Sequence, residues 1–220
     1  MSDERLPAQG LSAKVLTVSD GVVHGTSDDA SGRALVEQLS GAGFDVADHL
    51  VTADGADLVA ETLAEMCDGF VGVIVTTGGT GFAPRDQTPE GTRRVMEREA
   101  PGLAEAMRLV NPLGRLSRGV VGIRGDVVIC NTPGSPKGCV EQLGAILDVL
   151  PHALRLLADT PTPHCHPGWA AAGVTGDTSC SPNVSSGRVS ASVSSQRCCA
   201  SCCPKDRSNG RPWNCSRLPT

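Results

Sequence analysis

The sequence predicts an α/β domain, a three-layer α/β/α sandwich on a mostly parallel sheet. Three observations carry that expectation. Short apolar runs alternate with segments of helical period across residues 13–159, one run ("VGVIV") is apolar or glycine throughout, and polar loops rich in glycine and threonine follow the runs. Alternating strands and helices build a parallel sheet covered by helices, and a strand buried on both faces reads as an unbroken apolar stretch.

Taken in order, "KVLTVS" (14–19) reads as the first strand, and Ala30 to Ala42 as a helix with Leu35 and Leu39 at helical spacing. "FDVADHLV" (44–51) alternates as a second strand, and Asp57 to Asp68 repeats Val59, Leu63 and Met66 on one helical face. "VGVIVTT" (71–77) is the buried third strand. Thr88 with Pro89 marks a helix start, an N-cap followed by proline at the first helical position, and Pro101-Gly102 divides that helix from the next. "VVGIR" and "DVVIC", separated by Gly125, suggest a hairpin or bulged turn on the sheet edge. Ser135-Pro136 opens a helix running through Leu147, and a last helix spans about 151–158.

Composition divides the chain near Asp159. Residues 1–159 carry 22 acids and 13 bases, whereas residues 160–220 carry 2 acids, 6 bases and seven of the ten cysteines. Residues 1–12 read as a short polar arm. With one Leu, four Val and no Ile, Phe or Met, the tail offers too little apolar surface to offset its ordering entropy, so disorder is expected. Its "HCH" and "CCASCC" carry zinc-type ligands, but no second Cys-x-x-Cys or His pair stands at finger-like spacing. Six dispersed bases read as a solvated segment, so no nucleic-acid partner is expected. No window approaches 18 apolar residues and "MSDERLPAQG" has no apolar h-region, which leads to the expectation of a cytoplasmic protein without membrane contact.

Ligands of open α/β sheets bind beyond the carboxyl ends of the strands, and three polar loops converge there: 19–31, 76–88 and 131–137. In "TTGGTGFAPRDQTPEG" (76–91), Gly78, Gly79 and Gly81 let backbone amides approach an anion. The loop is neither a Walker A loop, since no Gly-Lys pair occurs in the chain, nor a dinucleotide fingerprint, since Pro84 stands where the third glycine belongs. A net-negative domain that binds polyphosphate needs a metal, and Asp54 and Asp86 at the same sheet edge could hold Mg²⁺ through oxygen. Lys137, at a helix N-terminus, could meet a phosphate as a point charge. Arg85, Arg108, Arg115 and Arg118 cannot be ranked by spacing. His24 and His49 lack Ser or Cys companions in any triad order, and Cys67, Cys130 and Cys139 read as buried thiols.

"TVSDG" (17–21), "TTGGTGFAPRDQTPEGT" (76–92), "PGLAEAMR" (101–108), "LSR" (116–118) and "NTPGSPKG" (131–138) resemble the molybdopterin-binding family of molybdenum-cofactor biosynthesis, which includes the molybdopterin adenylyltransferases and the gephyrin G domain. The resemblance spans about 13–158, in order, and stops before the tail. It implies a homotrimer of the molybdopterin-binding-domain type that transfers AMP from ATP to molybdopterin with Mg²⁺ and releases pyrophosphate, with a molybdenum-insertion protein as a further partner. Asp54 and Asp86 match the family's essential aspartates, although "VTADG" has one residue more than the usual valine-proline-aspartate pattern. Ser19, Asp20, Thr77, Gly78, Gly79, Thr80, Gly81, Ser117, Pro133, Gly134, Ser135 and Lys137 match its substrate and nucleotide positions. The alternative is a pterin-binding or scaffold homologue without catalysis on the same fold.

Overall fold

The chain begins its first strand, β1 (Ser12–Val18), just after a turn that buries Ala8 against the core. A four-residue helix α1 (Asp20–Val23) and a twelve-residue helix α2 (Ala30–Gly41) follow, then β2 (Asp45–Thr52), α3 (Ala56–Cys67), β3 (Gly72–Thr77) and α4 (Thr88–Val95). The second half holds β4 (Arg98–Glu99), α5 (Pro101–Leu109), a 3-10 turn (Pro112–Leu116), β5 (Val121–Arg124), β6 (Val127–Thr132), α6 (Pro136–Gly144) and α7 (Leu150–Leu157). The structure, a computed structural model, describes residues 8–158. The tail, with the disorder and the zinc ligands expected of it, lies outside the described residues, as do residues 1–7 of the arm.

The six strands form one sheet in the order β2-β1-β3-β6-β5-β4. The first four run parallel, β5 returns antiparallel on β6, and β4 is antiparallel to β5, so the sheet is mixed but mostly parallel. From β1 the chain passes to β2 on one side and to β3 on the other. That reversal opens a crevice at the carboxyl ends of β1 and β3, the switch point at which doubly wound sheets bind ligands.

Alternation along the central strands feeds two hydrophobic clusters. Val15, Val73, Val75, Val128 and Cys130 pack with Leu35, Leu39, Leu143 and Leu154 of α2, α6 and α7. On the other face Leu16, Val18, Ile74 and Ile129 meet Val59, Leu63 and Met66 of α3. Each such side chain, fully buried, contributes about 1.5–3 kcal/mol relative to exposure, so helices are fixed on both faces of the sheet. This is the expected three-layer sandwich. β3 is buried at all six positions, as its unbroken apolar run predicts, whereas β2 is an edge strand exposed along most of its length.

Three expectations are corrected. The helix beginning at Thr88 stops at Val95 instead of reaching Pro101, because Met96 turns extended (φ −71°, ψ 148°) and its sulfur fills the space over Gly122 of β5. The freed residues form β4, and β4 rather than the β5–β6 hairpin makes the sheet edge. α6 ends at Gly144, three residues short of Leu147, and turns bring Ile146 into the core before α7.

The ends of the strands are pinned by polar side chains with full valence. Buried Asn131 donates through Nδ2 to the hydroxyls of Thr76 and Thr92, both at 3.0 Å, and its Oδ1 accepts from Val120 N. β3, β6, α4 and the residue just before β5 are thereby tied together directly beneath the glycine-rich loop, with no buried polar atom of Asn131 left over.

Candidate active site

Gly78 leaves β3 with φ +98° and Gly79 follows with φ +61°, two successive left-handed residues that turn the chain over the end of the sheet. A Cβ on Gly78 would overlap the carbonyl oxygen of Val18 on β1, so the loop passes as close to β1 as backbone allows. Thr88 closes it from the other side: its Oγ1 donates to Gly78 O at 2.9 Å and its N–H to Gly79 O at 3.0 Å. Gly78 N is spent on Thr132 O, but the amides of Gly79, Thr80 and Gly81 make no hydrogen bond among the described residues. Three consecutive N–H groups on a glycine turn form a concave donor set suited to an oxyanion.

Arg118, which spacing could not rank, holds this loop in place. Its N–H donates to Thr80 O, its Nε to Gly81 O at 2.7 Å, and its terminal nitrogens to Asp86 O and the Glu90 carboxylate. The planar fork satisfies acceptors at both ends of the loop at once, which a lysine could not do. With the carbonyls turned onto Arg118 and Thr88, the amides are the backbone groups left for a ligand.

Both aspartates named from the sequence stand at this edge. Asp86 Oδ2 accepts from Ala83 N at 2.8 Å, and a Cβ on Gly81 would come within 2.8 Å of the same oxygen. Asp54 Oδ2 accepts from Asp20 N at 2.8 Å, while its Oδ1 lies beside Gly79, 3.3 Å from where a Cβ would be. Despite the extra residue in "VTADG", Asp54 reaches the same cleft as Asp86.

Two clefts meet here. One, of about 370 Å³, is walled by Thr17, Ser19, Asp28, Ser31, Asp54 and Thr77 and is floored by Gly78. The other, of about 520 Å³, runs past Thr80 and Gly81 to Ser117, Pro133, Ser135 and Lys137. Gly79, Asp86 and Gly134 border both. Of the residues matched from the sequence, Asp20 alone lines neither, because Arg85 Nε and Nη2 bind its carboxylate at 2.6 and 2.9 Å. That hydrogen-bonded guanidinium also holds the Asp20 carboxyl below the usual carboxylate range.

Several cleft-lining residues, and the contacts of His49 beside the smaller cleft, were not foreseen from the sequence. The larger cleft also uses Asn111, Leu113, Leu116, Glu141 and Gln142, contributed by the 3-10 turn and α6. His49, which has no partner in sequence, lies with Nε2 2.9 Å from Asp29 Oδ2 and 3.1 Å from Thr17 Oγ1. Thr17 Oγ1 donates to the same carboxylate oxygen, and Asp29 Oδ1 caps α2 through Gly32 N. No local signal marks residues 12 to 32 positions apart as neighbours. Cys67, Cys130 and Cys139 are buried thiols, as expected; burial pushes Cys130 up to about 12 and Cys139 up to about 11. No group of three or more His, Cys, Asp or Glu among the described residues forms a metal cage, and no helix of the described residues is long and apolar enough to cross a membrane.

The fold and this edge define a class: an α/β protein with three unbonded backbone amides and two carboxylates at the switch point of its sheet. Comparison with known proteins narrows it. The family model described as a probable molybdopterin binding domain matches residues 14–152. A molybdopterin adenylyltransferase of Helicobacter pylori strain J99 is 38% identical over 156 residues, covering 68% of this chain and 89% of its own. The molybdenum cofactor synthesis protein cinnamon of Drosophila melanogaster is 38% identical over 158 residues, 69% of this chain but 26% of its own length. Among solved structures, the molybdopterin biosynthesis enzyme MoaB of Thermus thermophilus superposes with a TM-score of 0.65 at 46% identity, covering 69% of this chain and 98% of that one. The chain belongs to the molybdopterin-binding domain family of molybdenum-cofactor biosynthesis.

Proposed function

We propose that the protein is a molybdopterin adenylyltransferase that joins its two substrates, ATP and molybdopterin, across the junction of the two clefts. The observation that carries this reading is that the clefts differ in character yet share Gly79, Asp86 and Gly134. A reaction between two bound molecules needs adjoining sites with the reacting atoms at the boundary, and holding them there removes much of the entropic barrier.

The terminal phosphate oxygen of molybdopterin attacks the α-phosphorus of ATP, the bond from that phosphorus to the β-bridging oxygen breaks, and pyrophosphate leaves. The amides of Gly79, Thr80 and Gly81 are placed to receive charge that develops on the phosphoryl oxygens, and being fixed by Thr88 and Arg118 they need no reorganisation. Lys137 at the start of α6, with its side chain largely exposed, supplies positive charge to the larger cleft. Ser117 and Ser135 line the same cleft, and Ser135 also caps α6.

The carboxylates fit Mg²⁺ rather than a self-contained metal cage. Asp54 and Asp86 each give one oxygen to a backbone amide and keep the other, and Mg²⁺ is commonly held by one or two carboxylates together with substrate phosphates and water. Bound there, Mg²⁺ would neutralise triphosphate charge and polarise the phosphoryl group under attack. Exposed Leu109, at 71%, beside the cleft-lining Leu113 and Leu116, supports an apolar contact with a second chain, and the homotrimer is the assembly proposed for it. Adenylated molybdopterin is then the form handed to a molybdenum-insertion protein.

The test is Asp86→Asn in the full chain, assayed for pyrophosphate release with molybdopterin, ATP and Mg²⁺. Turnover should fall by at least about 10²-fold, the scale of losing one preorganised electrostatic group, with the unfolding midpoint retained. A variant turning over at the wild-type rate removes Asp86 from the chemistry.

A further inference from the structure

Asp54 is a carboxylate facing a cleft on a loop, and such a group is of use to a cation only if its orientation is fixed. We propose that Asp20 and Arg85 are positioning residues that lock Asp54, engaging its Oδ2 and main chain so that Oδ1 alone is presented to a divalent cation in the cleft. The inference rests on the reading of Asp54 and Asp86 as the groups that hold the cation.

Asp20 and Asp54 are joined by a reciprocal exchange. Asp20 N donates to Asp54 Oδ2 at 2.8 Å, and Asp54 N donates to Asp20 Oδ1 at 3.1 Å. Two carboxylates drawn this close repel unless a positive group lies with them. Arg85 supplies it: Nε meets Asp20 Oδ2 at 2.6 Å, and Nη2 meets both Asp20 Oδ1 and the Asp54 carbonyl, at 2.9 and 2.8 Å. Five hydrogen bonds thus knit α1, the β2–α3 turn and the glycine-rich loop.

The consequences are directional. Asp54 Oδ2 is committed to an amide, so the oxygen beside Gly79 is the one offered to the cleft. Arg85 also immediately precedes Asp86, so the guanidinium that fixes Asp54 anchors the segment carrying the second carboxylate. Asp20, with both oxygens bound and lining neither cleft, acts through Asp54 instead of touching substrate.

The full-length protein and its Asp20→Asn, Arg85→Gln, Arg85→Lys and Asp54→Asn variants are titrated with Mn²⁺ in the presence of α,β-methylene-ATP, and free Mn²⁺ is followed by electron paramagnetic resonance. Groups that orient a metal ligand typically govern affinity by 10–100-fold, so Asp20→Asn and Arg85→Gln should each weaken Mn²⁺ binding at least about tenfold. Arg85→Lys should not restore it, because the point-like ammonium lacks the two-nitrogen fork that grips the Asp20 carboxylate while reaching the Asp54 carbonyl. The double variant should be no weaker than either single one, and thermal midpoints should stay near wild type, since Arg85 is largely exposed and Asp20 about one-third exposed, both outside the hydrophobic core. If Asp54→Asn weakens Mn²⁺ binding while Asp20→Asn and Arg85→Gln bind as wild type, the positioning inference is overturned and the cation site stands. A loss confined to nucleotide affinity at saturating Mn²⁺ also overturns it, making Arg85 a phosphate contact. Wild-type Mn²⁺ binding by Asp54→Asn overturns the underlying site, and the inference with it.

Discussion

Alanine at Gly78 tests the physical basis of the cradle. The residue holds φ +98°, and a Cβ there overlaps the Val18 carbonyl oxygen and lies 3.3 Å from the Val18 carbonyl carbon. Val18 ends β1, a strand paired with β2 and β3, so the obstacle is main chain that cannot swing aside. The positive φ costs about 1–2 kcal/mol for a residue with a Cβ. Forcing the extra carbon into packed surroundings adds about 1–3 kcal/mol. The sum, about 2–5 kcal/mol, lowers the melting temperature by roughly 2–4 °C per kcal/mol for a domain of this size. Gly125→Ala separates the two contributions, because Gly125 has φ +53° but nothing within 4 Å of its Cβ position, and should lose only about 1–2 kcal/mol. Calorimetry of the three full-length proteins makes the comparison. Equal losses in Gly78→Ala and Gly125→Ala would refute the close approach of the loop to β1.

Arg118→Ala removes the fork that holds Gly81 O and Asp86 O, and should cut kcat at least about tenfold while costing about 2 kcal/mol, a value kept low because the side chain is one-third exposed. Arg118→Lys should fail to recover kcat, and full recovery would show that charge alone matters. Cys130 gives a pH dependence. Its thiol stays protonated in the folded chain to about 12, against an ordinary value near 9. Below about pH 9 both states hold that proton; above it only the unfolded chain releases it, so stability falls by about 1.4 kcal/mol per pH unit toward pH 12. Urea midpoints of Cys130→Ala and wild type from pH 8 to 11 should converge as pH rises, and parallel curves would contradict the burial effect.

What was legible in the sequence was whatever leaves a local trace. β3 announced itself by an unbroken apolar run because both of its faces are covered, and Pro89 and Pro136 marked helix starts because proline tolerates the first turn. β4 left no trace, since two charged residues carry no period, and the stop at Met96 uses neither glycine nor proline but a tertiary contact with Gly122. At the site, the glycine loop and its Asp86 could be read because turn chemistry is local. The clamp of Arg118 on residues 28 to 38 positions away could not, nor could the exchange between Asp20 and Asp54, 34 apart. Distance along the chain, rather than weak chemistry, hid these contacts.

Adenylyl transfer is read most directly by label from [α-³²P]ATP. Incubated with molybdopterin and Mg²⁺, the full-length protein should move the label onto the pterin with one pyrophosphate released per label transferred, and Asp54→Asn and Asp86→Asn should abolish both. Saturable binding of ATP and molybdopterin with all label remaining in ATP would contradict the enzymatic account and leave a pterin-binding scaffold in its place.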